Sequence, residues 1–180
     1  MKSTVNPIPT PVVLGGLSEA ARSHIDGWLK KYPADQRRSA VIAALTFVQD
    51  ENGGWLTQAS MDQVAAYLGM PPVAVYEVAS FYSMFELKPV GKHKISFCTN
   101  ISCMLCGSQE MISYIKNKLN IDVGETTPDG QFTLKSVECL AACCNAPVML
   151  IGRQYHENLT PEKIDAILLA LSSSNAEQAI

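Results

Sequence analysis

Apolar residues in the first half of the chain recur every three or four positions, which is the period of a helix with one buried face. Ser18 precedes the first of these stretches as a residue that favours helix starts, and Gly69 follows the third as one that favours helix ends. The pattern predicts four helices. The first covers residues 20–31, and the second is capped by Asp35 and buries Val41, Ile42, Leu45 and Val48. The third begins with a capping box of Ser60 and Gln63 and runs through Leu68, and the fourth covers residues 73–85. Because the connections are short, we expect an antiparallel helical bundle over residues 18–86.

Four aromatic residues accompany the fourth predicted helix: Tyr76, Phe81, Tyr82 and Phe85. Aromatic side chains at helical spacing occur in cores more often than at cofactor sites. We therefore expect these four to be buried.

The period of the pattern changes after residue 87, where apolar positions begin to alternate as in a strand. The predicted elements are strands at residues 94–98, 132–137, 147–152 and 154–158, and helices at residues 108–119 and 161–171, with Thr160 as the cap of the last. This order over residues 87–172, strand-helix-strand-strand-strand-helix, fits a thioredoxin-like fold. The predicted fold class is α+β, with an N-terminal helical bundle followed by a thioredoxin-like α/β domain. Residues 1–17, which contain three prolines and two glycines, are predicted to form an extended arm, and residues 173–180 a frayed tail.

The 180 residues carry 14 Lys and Arg against 17 Asp and Glu, a formal net charge of −3, and 47% of them are apolar. Such a chain can bury a sizeable core, but it offers no basic field for nucleic acid and no polybasic membrane anchor. Its longest apolar stretch, residues 40–48, is far shorter than the ~20 residues that span a bilayer. No secretory signal is visible at the start, so we expect a cytoplasmic protein whose thiols stay reduced.

All six cysteines lie in two short stretches, each of which follows a predicted strand. The first stretch contains Cys98, Cys103 and Cys106, and the second contains Cys139, Cys143 and Cys144. In a reducing compartment, clustered cysteines favour metal binding or redox chemistry over a disulfide framework.

Four interpretations of this pattern are open. The spacing Cys98-x4-Cys103-x2-Cys106, followed by a distant cysteine, matches plant-type ferredoxins. Cys103 and Cys106, between a strand and a helix, could form a redox-active dithiol in which a helix N-terminus lowers a thiol pKa. Four thiolates from two loops also suit a structural zinc ion. Finally, Cys98 with Cys103 and Cys139 with Cys143 could hold a [2Fe–2S] cluster, with two thiolates on each iron.

In the last interpretation the small residues Ala141 and Ala142 would let backbone N–H groups approach the cluster sulfurs. Hydrogen bonds of that kind adjust the reduction potential of a metal centre.

A set of motifs spread over residues 18–171 bears on this choice. They are Gly53-Gly54-Trp55, Val78-Ala-Ser-Phe-Tyr82, Cys98-Thr-Asn-Ile-Ser-Cys103, Thr127-Pro-Asp-Gly130, Glu138-Cys-Leu-Ala-Ala-Cys143 and Asn145-Ala-Pro147. With these motifs the sequence resembles the E-type, thioredoxin-like [2Fe–2S] subunits of respiratory NADH:quinone oxidoreductase (complex I). That family is similar to the small subunits of NAD-linked hydrogenases and formate dehydrogenases.

The resemblance implies a [2Fe–2S] cluster with four thiolate ligands. The ligands are the cysteines that match the family's x4 and x3 pairs: Cys98, Cys103, Cys139 and Cys143. Cys106 and Cys144 fall outside the family pattern, and we interpret them as small, semi-buried residues beside the cluster. The family usually has glycine near Ala141. The fold resemblance also suggests a cis peptide bond before Pro147.

By resemblance, the chain is an electron-transfer subunit whose partner is a flavoprotein subunit that binds FMN and NADH. The complex would lie on the inner face of the membrane, with no insertion of this chain. We find no glycine-rich phosphate loop and no catalytic triad, so a complete active site is not expected here. The alternatives are the small subunit of an NAD-linked hydrogenase or formate dehydrogenase, and a thioredoxin-like oxidoreductase that uses Cys103 and Cys106.

The three histidines, His24, His93 and His156, are isolated in sequence, and we expect structural or surface roles for them.

Overall fold

The computed structural model describes residues 16–173, and the chain divides into two units between Pro89 and Val90. Apart from two residues of the first and one of the second, the predicted arm at residues 1–17 and the predicted tail at residues 173–180 lie outside the described part. Each unit has a hydrophobic core of its own.

The first unit is helical, as the spacing of apolar residues predicted. Its elements are α1 (Glu19–Leu29), α2 (Val41–Glu51), α3 (Gln58–Leu68) and α4 (Pro72–Phe81), with a 3₁₀ turn at Arg37–Ala40 before α2. The helices enclose a core in which Ile25, Leu45, Val64 and Val75 are fully buried. Ile42, predicted to be inward, is instead 37% exposed. Helices this short are marginal in isolation, so the shared core is what stabilises them.

Local hydrogen bonds set the starts of these helices, and two starts differ from the prediction. Ser18 caps α1 as predicted, since its hydroxyl accepts a bond of 2.9 Å from the Ala21 amide. Asp35 does not cap α2, because the 3₁₀ turn runs directly into that helix. The capping box of α3 begins earlier than predicted: Thr57 and Ser60 exchange two hydrogen bonds of 3.0 Å, so Ser60 is the third helical residue rather than the cap.

The aromatic residues of α4 do not form the predicted core stripe. Phe85 is buried, but Tyr76, Phe81 and Tyr82 are 44%, 79% and 40% exposed. The prediction is wrong for these three. The buried residues of α4 are Val75 and Ala79, so Tyr76 and Phe81 lie off the buried face, and Tyr82 follows the helix with an extended backbone. Helical periodicity stops at that point, and Phe85 returns to the core from a non-helical segment.

The second unit is a four-stranded sheet covered by helices. Its elements are β1 (His93–Cys98), α5 (Ile101–Leu105), α6 (Ser108–Leu119), β2 (Phe132–Val137), a 3₁₀ turn (Cys143–Asn145), β3 (Met149–Ile151), β4 (Gln154–His156) and α7 (Pro161–Ser173). The strand order is β2-β1-β3-β4, with β1 parallel to β2 and β3 antiparallel to both β1 and β4. The predicted order of elements is confirmed, and α5 is an addition to it. Within residues 16–173, no helix has the length and apolar character needed to cross a bilayer.

The sheet and its helices share one core. Ile95 and Phe97, predicted to lie on one face of β1, are both fully buried, and Ile95 is opposite Leu134 of β2. Ile115 of α6 and Ile164 of α7, also fully buried, complete this core. The alternation that predicted β1 therefore also fixes which of its residues face the helices.

Gly91, just before β1, lies against the backbone of β2. A β-carbon at this position would come within 3.0 Å of backbone atoms of Gly130, Gln131 and Phe132. We expect Gly91→Ala to lower the free energy of unfolding by about 1–3 kcal/mol, because a paired backbone cannot move aside as a flexible side chain does. Urea unfolding followed by circular dichroism measures this loss.

Gly27→Ala is the matched control. Gly27 lies within α1, and an added β-carbon there meets no atom within 4 Å. Alanine in an exposed helix interior should raise the free energy of unfolding by about 0.5–1 kcal/mol. Effects of the same sign at both glycines would contradict the close approach at Gly91.

Candidate metal centre

The two cysteine stretches leave the sheet at the same end. β1 and β2 run parallel, with Cys98, the last residue of β1, opposite Val137, the last residue of β2. The Thr99 amide and hydroxyl both donate to the Val137 carbonyl, at 3.0 and 3.1 Å, so the pairing continues past the strands. The first cysteine segment, residues 98–106, and the second, residues 139–144, therefore begin side by side.

The first cysteine segment contains the short helix α5, which the apolar pattern did not predict. Asn100 starts it, since its side-chain oxygen accepts a hydrogen bond of 2.8 Å from the Ile101 amide. The helix turns Cys103 inward, to 2% exposure, and leaves Cys106 exposed at its C-terminal end. Asparagine is a common helix-start residue, so Asn100 was a sequence signal that could have indicated α5.

The second cysteine segment is an irregular loop followed by a 3₁₀ turn at Cys143–Asn145. Ala141 has a φ of 58°, in the left-handed region, and its amide donates a hydrogen bond of 3.3 Å to Cys139 Sγ. The peptide bond between Ala146 and Pro147 is cis, which confirms the suggestion made from the sequence.

The six thiols differ in burial. Cys98 and Cys103 are each 2% exposed and pack against Val148, with Ala142 and Ala146 at the edge of this small apolar cluster. The exposed thiols are those of Cys106, Cys139, Cys143 and Cys144, so the prediction that Cys106 and Cys144 are semi-buried is wrong. One predicted pair of ligands is thus buried beside the sheet, and the other is on the surface.

Burial raises the pKa of the Cys103 thiol to about 11, and its hydrogen bond with Cys98 raises this pKa too, against the opposing effect of a backbone hydrogen bond from Val148. The dithiol interpretation required a lowered pKa here, because the thiolate is the attacking nucleophile. The structure places Cys103 in the opposite environment. A thiol of this kind loses its proton when it coordinates a metal ion.

Cys103 is the point at which the two segments meet. It is hydrogen-bonded to Cys98, and Cys143 is near enough to raise its pKa electrostatically. Within residues 16–173, no three His, Cys, Asp and Glu side chains converge as ligands of a single metal ion. In a [2Fe–2S] site the thiolates bind as pairs to two irons, so the four sulfurs do not need to share one point.

The donors available here fit a [2Fe–2S] cluster. Two sulfurs already accept backbone hydrogen bonds, Cys103 from Val148 and Cys139 from Ala141. Thiolate ligands with N–H donors directed at sulfur are the environment in which such clusters are held and their potentials set.

His24 makes structural contacts, and His93 and His156 are half-buried. His24 stacks on Phe47, with 4.4 Å between ring centroids, and accepts a hydrogen bond of 3.1 Å from the Trp28 indole. Burial lowers the pKa of His93, at the start of β1, and of His156, in β4.

A family model described as thioredoxin-like [2Fe–2S] ferredoxin matches residues 25–172. The NADH-quinone oxidoreductase E subunit of Rickettsia bellii (strain RML369-C) is 49% identical to this chain over 140 residues, which are 78% of this chain and 84% of that protein. NADH dehydrogenase [ubiquinone] flavoprotein 2, mitochondrial, of Dictyostelium discoideum is 50% identical over 132 residues, 73% of this chain and 53% of that protein.

Among solved structures, a chain of an NAD+-reducing [NiFe]-hydrogenase in the air-oxidized state has a similar fold, with a TM-score of 0.62. The two are 20% identical, and the match covers 72% of this chain and 23% of that one. This likeness concerns the fold alone, and together with the family match it confirms the predicted fold class.

The difference in burial predicts two classes of thiol reactivity in protein prepared without bound metal. Cys98 and Cys103 should react with iodoacetamide about tenfold or more slowly than Cys106 and Cys144, because they are inaccessible and the Cys103 thiol resists deprotonation. Timed alkylation with peptide mass spectrometry gives the rate at each cysteine. Similar rates at all of them would contradict the burial described above.

Proposed function

This chain belongs to the thioredoxin-like [2Fe–2S] ferredoxin family, and from that premise we propose that it is the electron-transfer subunit of an NADH:quinone oxidoreductase (complex I) and carries one [2Fe–2S] cluster. The observation that carries the proposal is the extent of the match. It runs from residue 25 to residue 172 and so includes most of the helical unit as well as the sheet. A free-standing ferredoxin has no evident use for a helical unit of this size, whereas a subunit of an assembly does.

We assign the four ligands to Cys98 and Cys103 on one iron and Cys139 and Cys143 on the other. The parallel pairing of β1 with β2 supports this assignment, because it starts both cysteine segments at one end of the sheet. The contact between the Cys98 and Cys103 thiols supports the first pair.

When bound, the cluster supplies a carrier for single electrons. The residues of this chain then have two tasks: to exclude water from part of the centre and to direct N–H dipoles at the sulfurs. Val148 serves both, since it covers the buried thiols and donates to Cys103. Fixed dipoles of this kind need no rearrangement when the charge changes.

The proposed partner is a flavoprotein subunit that binds FMN and is reduced by NADH. A flavin reduced by two electrons can pass them on singly, and a one-electron centre beside it accepts one at a time. The surface of α5 supports a protein partner near the cluster, because Ile101, Met104 and Leu105 are 66%, 48% and 78% exposed on the helix that holds Cys103. Contiguous exposed apolar side chains are typical of protein interfaces.

The helical unit supports a second contact with the assembly. Phe81 and Tyr82 are exposed and stack edge to face, with 5.0 Å between ring centroids. Exposed aromatic side chains are enriched at protein–protein interfaces.

We propose that the assembled complex, on the cytoplasmic face of the membrane, accounts for any membrane association of this chain.

Serine substitution tests the ligand assignment. Replacing Cys98, Cys103, Cys139 or Cys143 singly should abolish or alter the absorption and EPR spectra of the cluster, because each removes a thiolate from iron. The controls Cys106→Ser and Cys144→Ser should keep normal spectra and normal iron and sulfide contents.

Other outcomes of this series point to the alternatives. Normal spectra in Cys143→Ser together with loss in Cys106→Ser would favour the plant-type spacing. An iron-free wild-type protein with a reversible disulfide between Cys103 and Cys106 would favour the dithiol function, and stoichiometric zinc would favour a structural site.

Leu105→Lys tests the proposed partner surface. A charge at a position that becomes buried in the complex should weaken binding to the flavoprotein subunit about tenfold or more. Leu169→Lys is the control, since Leu169 on α7 is similarly exposed, at 69%, outside the cysteine segments. Titration of the purified flavoprotein subunit measures both affinities, and equal weakening in the two variants would refute a specific role for α5.

A further inference from the structure

Ala141 adopts a backbone conformation that alanine rarely takes. Three non-glycine residues in the described part of the chain have positive φ: Asn120, Ala141 and Asn158. Asparagine tolerates the left-handed region, because its short polar side chain can bond locally to the backbone. Alanine has no such group, so the surrounding chain must impose the φ of 58° at Ala141.

The loop that contains Ala141 supplies a hydrogen-bond donor to the candidate centre. The Ala141 amide donates to Sγ of Cys139, two positions earlier, at 3.3 Å. Cys139 is exposed, so without that amide its sulfur would depend on solvent for hydrogen bonds. A fixed donor from the backbone takes the place of water at this sulfur.

We propose that Ala141 is a positioning residue that raises the reduction potential of the cluster through the hydrogen bond from its amide to Cys139 Sγ. The inference rests on the proposed function, in which Cys139 binds iron. One-electron reduction adds a negative charge that is shared by the irons and their sulfur ligands. An N–H dipole directed at a ligand sulfur stabilises this extra charge, so its loss makes the potential more negative.

The two pairs of ligands acquire their donors in different ways. Cys103 receives a hydrogen bond from Val148, next to β3, within the apolar cluster. Cys139 receives its hydrogen bond from within its own exposed loop. The second donor therefore depends on the conformation of this loop, which includes the positive φ of Ala141, and a substitution that changes the loop can remove the donor without changing a ligand.

Selective isotope labelling tests the hydrogen bond directly. The full chain with its cluster is labelled with 15N-alanine, reduced with dithionite and measured by pulsed EPR. We expect an alanine 15N nucleus coupled to the cluster in the wild type. In Ala141→Ser, where the amide at this position is unlabelled, the coupling should disappear, and in the neighbouring control Ala142→Ser it should remain.

Potentiometry tests the consequence of the hydrogen bond. Ala141→Gly and Ala141→Asn tolerate the left-handed conformation and should keep the wild-type midpoint potential. Ala141→Val disfavours the positive φ that the loop requires, so the loop and its hydrogen bond to Cys139 should change and the potential should become more negative. Asn120→Val is the control for strain alone, because Asn120 ends α6 in the same conformation outside the cysteine segments, and its potential should not shift.

The outcomes separate this inference from the proposed function. A wild-type chain that binds no [2Fe–2S] cluster overturns both. A normal cluster with no alanine coupling, or with a coupling that survives in Ala141→Ser, overturns the role of Ala141 alone. The same holds if Ala141→Val retains its cluster at the wild-type potential. If that variant cannot hold the cluster, the labelling experiment, which requires no change of conformation, still decides.

Discussion

The parallel pairing of β1 with β2 is the interaction on which the candidate centre depends. It places Cys98 opposite Val137 and so starts the two cysteine segments together. Because side chains alternate along a strand, the register that buries Phe97 against the helices also sets the face on which Cys98 lies. A slip by one residue would move Phe97 out of the core, at a cost of about 1.5–3 kcal/mol for that side chain alone. The hydrophobic core thereby fixes the relative positions of the two cysteine segments.

The thiols at this end of the sheet lie in two unlike environments. Cys98 and Cys103 lie under Val148, and burial raises the pKa of the Cys103 thiol. Cys139 and Cys143 lie on the surface, in a loop that includes the left-handed backbone conformation of Ala141. One pair is thus positioned by the core of the unit, and the other by local hydrogen bonding. This division would give the proposed one-electron centre an insulated side and an accessible side.

Apolar side chains remain exposed in both units, in α5 and at the end of α4. A protein that functioned alone would have little reason to keep Leu105 and Phe81 in water. Their exposure agrees with the family to which the chain belongs, whose relatives include subunits of NADH-quinone oxidoreductase. The core prediction for α4 was wrong because Tyr76, Phe81 and Tyr82 lie off the face that carries Val75 and Ala79.

The sequence by itself determined the features that depend on near neighbours. The alternation around Ile95 and Phe97 predicted β1 and its buried face, Ser18 marked the start of α1, and the spacing of the cysteines with their flanking motifs indicated the family. Signals within one helical turn suffice for the first two features, because the interactions behind them join residues at most four positions apart, whereas the family was indicated by several short motifs read together.

Only the tertiary structure decided which thiols are buried and which aromatic residues are exposed. Cys103 is buried by Val148, and its pKa depends on Cys98 and Cys143, groups that the fold brings together from two strand ends. The left-handed conformation of Ala141 likewise cannot be inferred from an alanine, which ordinarily avoids it. Burial, electrostatic environment and imposed backbone conformation are properties of residues distant in sequence acting together, and local patterns do not contain them.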